Sequence, residues 1–367
     1  MKWYPYGHDF GNAGIDGVLM VNKHQTVSAS IPTAFTPVDP VQMKHLGIDL
    51  EDANVIQLVG EETAYGIGLI ALAQSVDPWH GRGDPHRYAS RYSLRALLSL
   101  SASLIPDKEY GLVVVGGLPA EMFMKNESLR QEIKKALSGI WEFSTDGGKT
   151  TRRSHIQYRA TLMEGAGALV AYGDEKQSSP QGQGIIDIGG RTTDLYVARA
   201  GQPILEFCKG KPLGVETATA LMASAFERKY RSPLSPLEAR HIMHAYASTK
   251  GGGKKKAAYP PMNLCGTPIA PEAIAALVEE AVRSVGEDIV SFVAAAWRQS
   301  DATSEIGARF SPVICIGGGV YSFFDFLRKR IPHLVKPINP TGANAYGYAL
   351  AAQRLLAKQA PAEEKTA

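Results

Sequence analysis

The chain has 367 residues, 44% of them hydrophobic, and its 39 basic side chains against 36 acidic ones leave a net charge of only +3. A chain of this length can bury a sizeable core and divides more readily into two lobes than one, while the near balance of charge argues against a polyanion-binding protein. The three cysteines, Cys208, Cys265 and Cys315, are odd in number and far apart, which excludes a disulfide framework and zinc spacing; with no basic-then-apolar leader and no apolar run of roughly 18 residues, the expectation is a cytoplasmic protein with no membrane partner.

Near the start, residues 6–14 form a glycine turn leading into the alternating stretch 15–22, the second strand of a hairpin. A Pro-rich stretch at 31–40 follows, then a second hairpin from Asn54 to Tyr65 and the beginning of a helix over 67–73, so that residues 30–88 read as an insertion. Tyr92 to Leu104 has apolar residues at helical spacing, and the run Gly111 to Gly117 reads as a buried strand directly after it, a common α/β step. A charged helix is expected over Glu127–Leu137, a hairpin turn at Asp146-Gly147-Gly148, a strand over Arg153–Tyr158 and a small-residue helix over Thr161–Tyr172.

The second half opens on the same plan as the first: Gly184 to Gly190 is a strand ending in an Asp and a glycine turn, and Thr193 to Ala198 is the strand that returns. A duplicated strand–Asp–Gly turn implies two related lobes. Pro271 starts a long core-facing helix that carries Ile274, Leu277, Val278, Ala281, Val282, Val285, Ile289, Phe292 and Val293 along one face. Residues 248–261, with Gly251-Gly252-Gly253-Lys254-Lys255-Lys256, read as a solvated surface loop rather than a nucleic-acid contact. Ser311 to Ile316 is a buried strand before Gly317-Gly318-Gly319, and the Ala/Glu/Lys-rich tail from Lys358 is expected to fray.

Glycine turns after strands let the backbone approach a phosphate and offer amide N–H groups as anion-binding dipoles. One such turn contributes Asp9, Gly11, Asn12, Ala13 and Gly14, and the other contributes Asp187, Gly189, Gly190, Arg191, Thr192 and Thr193. Two carboxylates beside a polyphosphate suit Mg²⁺, which dehydrates reluctantly and is often held through its water shell. The pair of turns therefore points to a Mg-nucleotide.

At these motifs the chain resembles the actin-like ATPases, within the larger superfamily of actin, heat-shock chaperones and sugar kinases. Asp9-Phe10-Gly11-Asn12 is similar to the first phosphate motif, Ile186-Asp187-Ile188-Gly189-Gly190-Arg191-Thr192-Thr193-Asp194 to the second, and Ile316-Gly317-Gly318-Gly319 to the adenosine motif. Met163-Glu164-Gly165-Ala166-Gly167-Ala168 resembles the first connecting helix and Pro340-Thr341-Gly342-Ala343-Asn344-Ala345-Tyr346-Gly347 the second connecting segment. The likeness is nearest to the plasmid-segregation type, ParM and its bacterial and archaeal relatives.

The resemblance implies an α/β, actin/ribonuclease H-like duplicated fold with a nucleotide cleft between two lobes. Lobe I would span 1–160 with an inserted subdomain at about 30–88, and lobe II 161–345 with one at about 212–300, before 346–367 returns to lobe I as a helix and a tail. It also implies roles. Asp9 and Asp187 would hold Mg²⁺ through water, and Glu164 would orient or activate the attacking water. The backbones of Gly11–Ala13 and Gly189–Thr192 would cradle the β- and γ-phosphates, and Gly317, Gly318 and Gly319 would let adenosine lie against the backbone. Glu216 is placed to reach the ribose. The nucleotide is expected to be ATP, with GTP the alternative.

One departure concerns the strand after the first turn, where many actin-like members carry a Lys and this chain has Asp16. Arg191 is the candidate for the missing positive charge. Plainer readings stand beside these roles: Asp9 as an acceptor within a tight turn, Glu164 as a helix cap or ion-pair partner, Gly317–Gly319 as a simple strand-to-helix turn, and Asp194 as a support of the hairpin. His8 and the Tyr321-Ser322-Phe323-Phe324 cluster read as core. Functionally, the resemblance implies an ATP-hydrolysing cytoskeletal protein that self-associates into filaments, for plasmid or DNA segregation with a DNA-bound adaptor protein and no direct nucleic-acid contact. The alternatives are a small-molecule kinase of the same superfamily and a nucleotide-binding scaffold without hydrolysis.

Overall fold

The opening hairpin is β1 (Trp3–Phe10) and β2 (Gly14–Met20), and β3 (Thr26–Pro32) pairs antiparallel with β2. The chain continues through β4 (Phe35–Val38), α1 (Pro40–His45), β5 (Val55–Leu58), β6 (Ala64–Ile67), α2 (Leu69–Gln74) and a 3₁₀ turn over Pro85–Ala89. Next come α3 (Arg91–Leu104), β7 (Glu109–Leu118), α4 (Ala120–Lys125), α5 (Glu127–Leu137), β8 (Gly139–Ser144), β9 (Arg152–Met163) and α6 (Ala166–Tyr172). A computed structural model supplies these coordinates and describes residues 1–358 apart from 51, 76, 82, 174–179, 181, 252–257, 265 and 298–304.

These strands make one nine-stranded sheet in the order β3-β2-β1-β7-β9-β8-β5-β6-β4. Its centre, β1-β7-β9, is parallel. That arrangement needs cover on both faces, and β7 shows how the sequence supplies it. Leu112 and Val114 join the core that holds Leu94, Leu97 and Leu98 of α3, whereas Val113 and Val115 point the other way, toward Tyr348 and Ala352. Each leucine so enclosed contributes about 1.5–3 kcal/mol. Ser90 starts α3 by accepting a hydrogen bond from the Ser93 amide.

One expectation needs correction in this region. Thr161–Met163 continue β9 rather than beginning a helix, because the β7 pairing holds them extended as far as Leu118↔Met163; α6 starts only after Gly165 turns the chain at φ 89°. The stretch 30–88, read as an insertion, joins the first unit's sheet. It adds β5, β6 and β4 to the same sheet through the β5–β8 pairing, and its first residues complete β3.

The second compact unit covers residues 173–341. It contains β10 (Gln183–Ile188), β11 (Thr193–Arg199), β12 (Gln202–Pro203), β13 (Lys209–Lys211), α7 (Val215–Tyr230), α8 (Pro236–Gly251), β14 (Asn263–Leu264) and β15 (Thr267–Pro268). It ends with α9 (Pro271–Ala296), β16 (Val313–Ile316), α10 (Val320–Arg328) and β17 (Leu334–Val335). The sheet runs β12-β11-β10-β16-β17, with β13 also on β11. Its core takes Ile274, Val278, Val285, Ile289 and Val293 from one face of α9, together with Phe323, Phe324 and Trp297. Ser248 and Thr249 are helical, not looped: their hydroxyls bond back to the Ala245 and Tyr246 carbonyls inside α8. The lysine run beyond Gly251 and the tail after Lys358 lie outside the described residues, as does Cys265. Cys208 and Cys315 are buried free thiols.

From residue 342 the chain returns to the first unit. There α11 (Ala343–Ala357) packs on β1, β7 and α6. The approach to α6 is so close that a Cβ added at Gly347 would lie 1.7 Å from the Gly167 carbonyl oxygen. Asn344 fixes the same junction by accepting the Gly165 amide at 3.0 Å. Among the described residues no helix is long and apolar enough to cross a membrane.

The duplication is explicit in the pairing. Each unit has an antiparallel hairpin whose first strand also pairs in parallel with a later strand, β1 with β7 and β10 with β16. In the first hairpin Asp9 stands opposite Asp16, and in the second Asp187 stands opposite Asp194.

Candidate functional site

In open α/β sheets ligands bind beyond the carboxyl ends of the strands. In the first unit that edge carries Asp9 at the end of β1, the turn 11–13, and Glu164 immediately after β9, with the Glu164 amide bonded to the Leu118 carbonyl at the end of β7. Asp9, Gly11, Asn12, Ala13, Gly14 and Glu164 are all partly exposed. Gly11 admits no side chain, since a Cβ there would meet the Gly14 carbonyl oxygen at 2.6 Å.

The turn is held by its carbonyls. Arg87, only 2% exposed, donates from Nη1 to the Gly11 oxygen at 3.2 Å and from Nη2 to the Phe10 oxygen at 3.1 Å. Thr33 adds its hydroxyl to Gly11 O at 2.9 Å and its amide to Ala13 O at 3.1 Å. In a trans peptide the C=O and the following N–H point in opposite directions. Fixing the Phe10 and Gly11 carbonyls toward Arg87 therefore aims the N–H groups of Gly11 and Asn12 away from it.

In the second unit Asp187 is buried near the end of β10, beside Ile316 at the end of β16. The turn 189–192 follows, closed by a bond from the Gly189 amide to the Thr192 carbonyl at 2.8 Å. Here the carbonyls are held by backbone. Val215 N–H, first in α7, donates to Gly189 O at 3.2 Å, and Glu216 N–H donates to Gly190 O at 2.7 Å. The same peptide geometry aims the Gly190 and Arg191 amides away from α7. Gly214 permits this contact, because a Cβ there would meet the Gly190 and Gly189 oxygens at 2.6 and 2.7 Å.

The turn Gly317–Gly319 lies against the same strand end. Gly317 has φ 87°, and a Cβ on it would be 2.4 Å from the Ile188 oxygen and 2.5 Å from Asp187 Oδ1. Its amide donates to Pro340 O at 2.9 Å, while the Gly319 amide donates to Ile188 O at 2.8 Å. The second unit thus gathers Asp187, Gly189, Gly190, Arg191, Thr192, Glu216, Gly317, Gly318 and Gly319 around the end of β10. Glu216, second in α7 and partly exposed, suits the positive end of that helix.

Electrostatics distinguish the side chains. Burial pushes the Asp16 carboxyl up to about 6, with a hydrogen bond from Ser30 acting against the shift. Burial also holds His8 down to about 3, so it is a neutral core imidazole at physiological pH. The Cys315 thiol is pushed up by burial and by the charge of Asp187. Asp9 and Asp187 offer hard oxygen donors at strand ends, the donor type Mg²⁺ takes. Among the described residues there is no cluster of three or more His, Cys, Asp or Glu able to hold a metal. Each strand-end carboxylate, taken by itself, suits a magnesium ion that keeps water in most positions.

Sequence reasoning missed Arg87, Thr33 and the close approach of Gly214. Arg87 lies 76 residues from Gly11, and nothing in its neighbourhood of Asp84-Pro85-His86-Arg87-Tyr88 marks it. Gly214 could have been suspected from its position immediately before a helix.

Comparison with known proteins agrees with this fold. Residues 7–167 match the family described as actin like proteins N terminal domain. An archaeal actin homologue, Ta0583, superposes with a TM-score of 0.71 at 20% identity, covering 96% of this chain and 100% of its own. A ParM from a 15-stranded Clostridium botulinum filament gives 0.72 at 19% identity, with 96% and 100% covered. Bacillus thuringiensis ParM with ATP gives 0.71 at 15% identity, with 97% and 100% covered. No curated protein matches the chain. Residues 7–167 thus match the actin-like N-terminal domain family, and the chain has the fold of the actin homologues.

Proposed function

We propose that the protein binds and hydrolyses Mg-ATP and assembles head-to-tail into filaments that serve plasmid or other DNA segregation through a DNA-bound adaptor protein. The observation that carries this reading is the orientation of two glycine turns, one in each unit. In each, the carbonyls are tied back and consecutive amides are left to meet an anion beside a strand-end Asp. In this reading the two compact units are the two lobes of the fold.

Roles follow from the chemistry of each group. The amides around Gly11–Ala13 and Gly189–Thr192 bind the β- and γ-phosphates, and Asp9 and Asp187 hold water of the Mg²⁺ shell. When bound, Mg²⁺ offsets charge on the phosphate oxygens. Glu164 orients the attacking water and accepts its proton; Gly317, Gly318 and Gly319 lie against adenosine; Glu216 accepts from the ribose hydroxyls. Arg191, in the second turn, supplies positive charge that Asp16 does not. ATP is the expected nucleotide, with GTP the alternative.

Filament assembly is supported by the likeness to a ParM solved as a filament. A head-to-tail contact that does not close on itself propagates into a helix. The test is ATP-triggered light scattering measured together with phosphate release. Scattering that rises with ATP and decays after phosphate release is the expected result. Phosphate release that needs an added hydroxyl substrate would replace the reading with a small-molecule kinase, and binding with neither signal would leave a scaffold.

A further inference from the structure

The strand after the first turn carries no cation, yet a cation does reach that turn from elsewhere. Arg87 sits in the 3₁₀ segment Pro85–Ala89, whose start is fixed by Asp84 accepting the His86 amide at 2.8 Å. Its guanidinium is enclosed by rings, 5.2 Å from the centre of Phe10 and 4.4 Å from that of Tyr88. Three hydrogen bonds are recorded: to Gly11 O, to Phe10 O, and to the Tyr88 hydroxyl at 2.7 Å. Among the described residues it makes no ion pair.

A buried guanidinium costs a great deal unless its donors are satisfied. Here two of those donors are spent on consecutive carbonyls of a three-residue turn. The fork geometry matters, because only a planar group with separate donors can hold two carbonyls in one relative orientation. Lys would carry the charge without the fork. The Gly11 and Asn12 amides face the opposite side of the same peptides. The guanidinium therefore does two things to the anion-binding side of the turn: it sets the direction of the amides, and it polarises them through the peptide planes while adding positive potential in an apolar surrounding.

We propose that Arg87 is the positioning residue of the first phosphate turn, acting through the Phe10 and Gly11 carbonyls. Arg87 itself does not touch the nucleotide. The inference rests on the nucleotide-binding reading above, and a purely structural arginine would behave differently. Losing a structural contact lowers the melting temperature and leaves ligand discrimination alone. Losing the positioning residue weakens ligands that carry phosphates and spares adenosine, which uses the glycine turn of the second unit.

The experiment compares the full chain with Arg87→Met, Arg87→Lys and Thr33→Val, measuring Kd for ATP and for adenosine and the melting temperature without ligand. For Arg87→Met the expected result is a rise of about tenfold or more in the ATP Kd with the adenosine Kd changed less than about twofold. Arg87→Lys is expected to recover part of the loss, and Thr33→Val, which removes a neutral bond to the same carbonyl, to change ATP binding about threefold or less. ATP binding by Arg87→Met equal to that of the parent chain overturns the proposal, as does equal weakening of ATP and adenosine. If Arg87→Met does not fold, Arg87→Lys decides: an unchanged ratio of ATP to adenosine affinity rejects the role. A parent chain that binds no ATP sinks the nucleotide reading itself, an outcome distinct from any of these.

Discussion

The two strand-end glycine turns both have their carbonyls tied back, but by different means. In the first unit a side chain 76 residues away holds the carbonyls, whereas in the second the opening amides of α7 do so, 26 residues after the turn's first glycine. A backbone device tolerates most substitutions, since every residue but Pro brings an amide. A side-chain device depends on one residue. The first turn should therefore be the one that a single conservative change disables, and the second should fail only where a side chain is forced between helix and turn.

Five substitutions break or sharpen that contrast. The largest effect is expected from Gly317→Ala, which places a methyl group against both Ile188 O and Asp187 Oδ1 and forces a non-glycine residue to φ 87°. It should lower stability by about 3 kcal/mol, read in a denaturant titration. Next comes Asp187→Asn, expected to cut phosphate release about a hundredfold or more by removing the charge that holds the magnesium water. Asp9→Asn should cost less, because Asp9 is the more exposed of the two; equal losses would mean that exposure does not set the size of the effect.

Gly214→Ala probes the backbone device itself. Its methyl group collides with the Gly189 and Gly190 oxygens, and ATP affinity measured by titration should fall about tenfold, matching the loss of Arg87 in the other unit. A normal affinity would show that the α7 amides are not what orients the turn.

The smallest effect concerns Asp16, which stands opposite Asp9. Its folded-state carboxyl is pushed up to about 6 from the ordinary value of 3.8. A raised carboxylate favours the folded state when protonated, so its contribution is present below about 3.8 and is lost as pH rises through about 6. Asp16→Asn removes that loss. The variant should be more stable than the parent chain by about 1 kcal/mol at pH 7, allowing for solvent screening at a partly exposed position, and the gain should vanish near pH 4 in urea melts. A gain that persists at pH 4 would assign the effect to packing.

The strand-end glycine turns were legible because their devices are local. Asp9 with Gly11 to Gly14, Asp187 with Gly189 to Thr192, and Gly317 to Gly319 each sit at a strand end that hydrophobic alternation reveals, and a glycine-rich turn has few other uses there. The α9 stripe and the α3–β7 step were equally plain. Arg87 was not, because its role exists only after tertiary folding carries the 3₁₀ segment to the turn. Thr161–Met163 misled for a related reason: small and mixed residues fit a helix locally, but the β7 ladder decides their conformation. The stretch 30–88 read as an insertion since its Pro-rich entry breaks the pattern, whereas its place in the sheet comes from the distant β5–β8 pairing of Gln57 with Ser144.

The return of α11 to the first unit also dictates an order of events during synthesis. Residues 173–341 form a unit with its own core, so that segment can fold as soon as it has left the ribosome. The older unit cannot. Val113 and Val115 of its central strand wait for Tyr348 and Ala352, and Gly167 waits for Gly347. The first unit to be translated is thus the last to be finished, and until then it presents an uncovered parallel sheet, the state in which a newly made chain has most need of a chaperone.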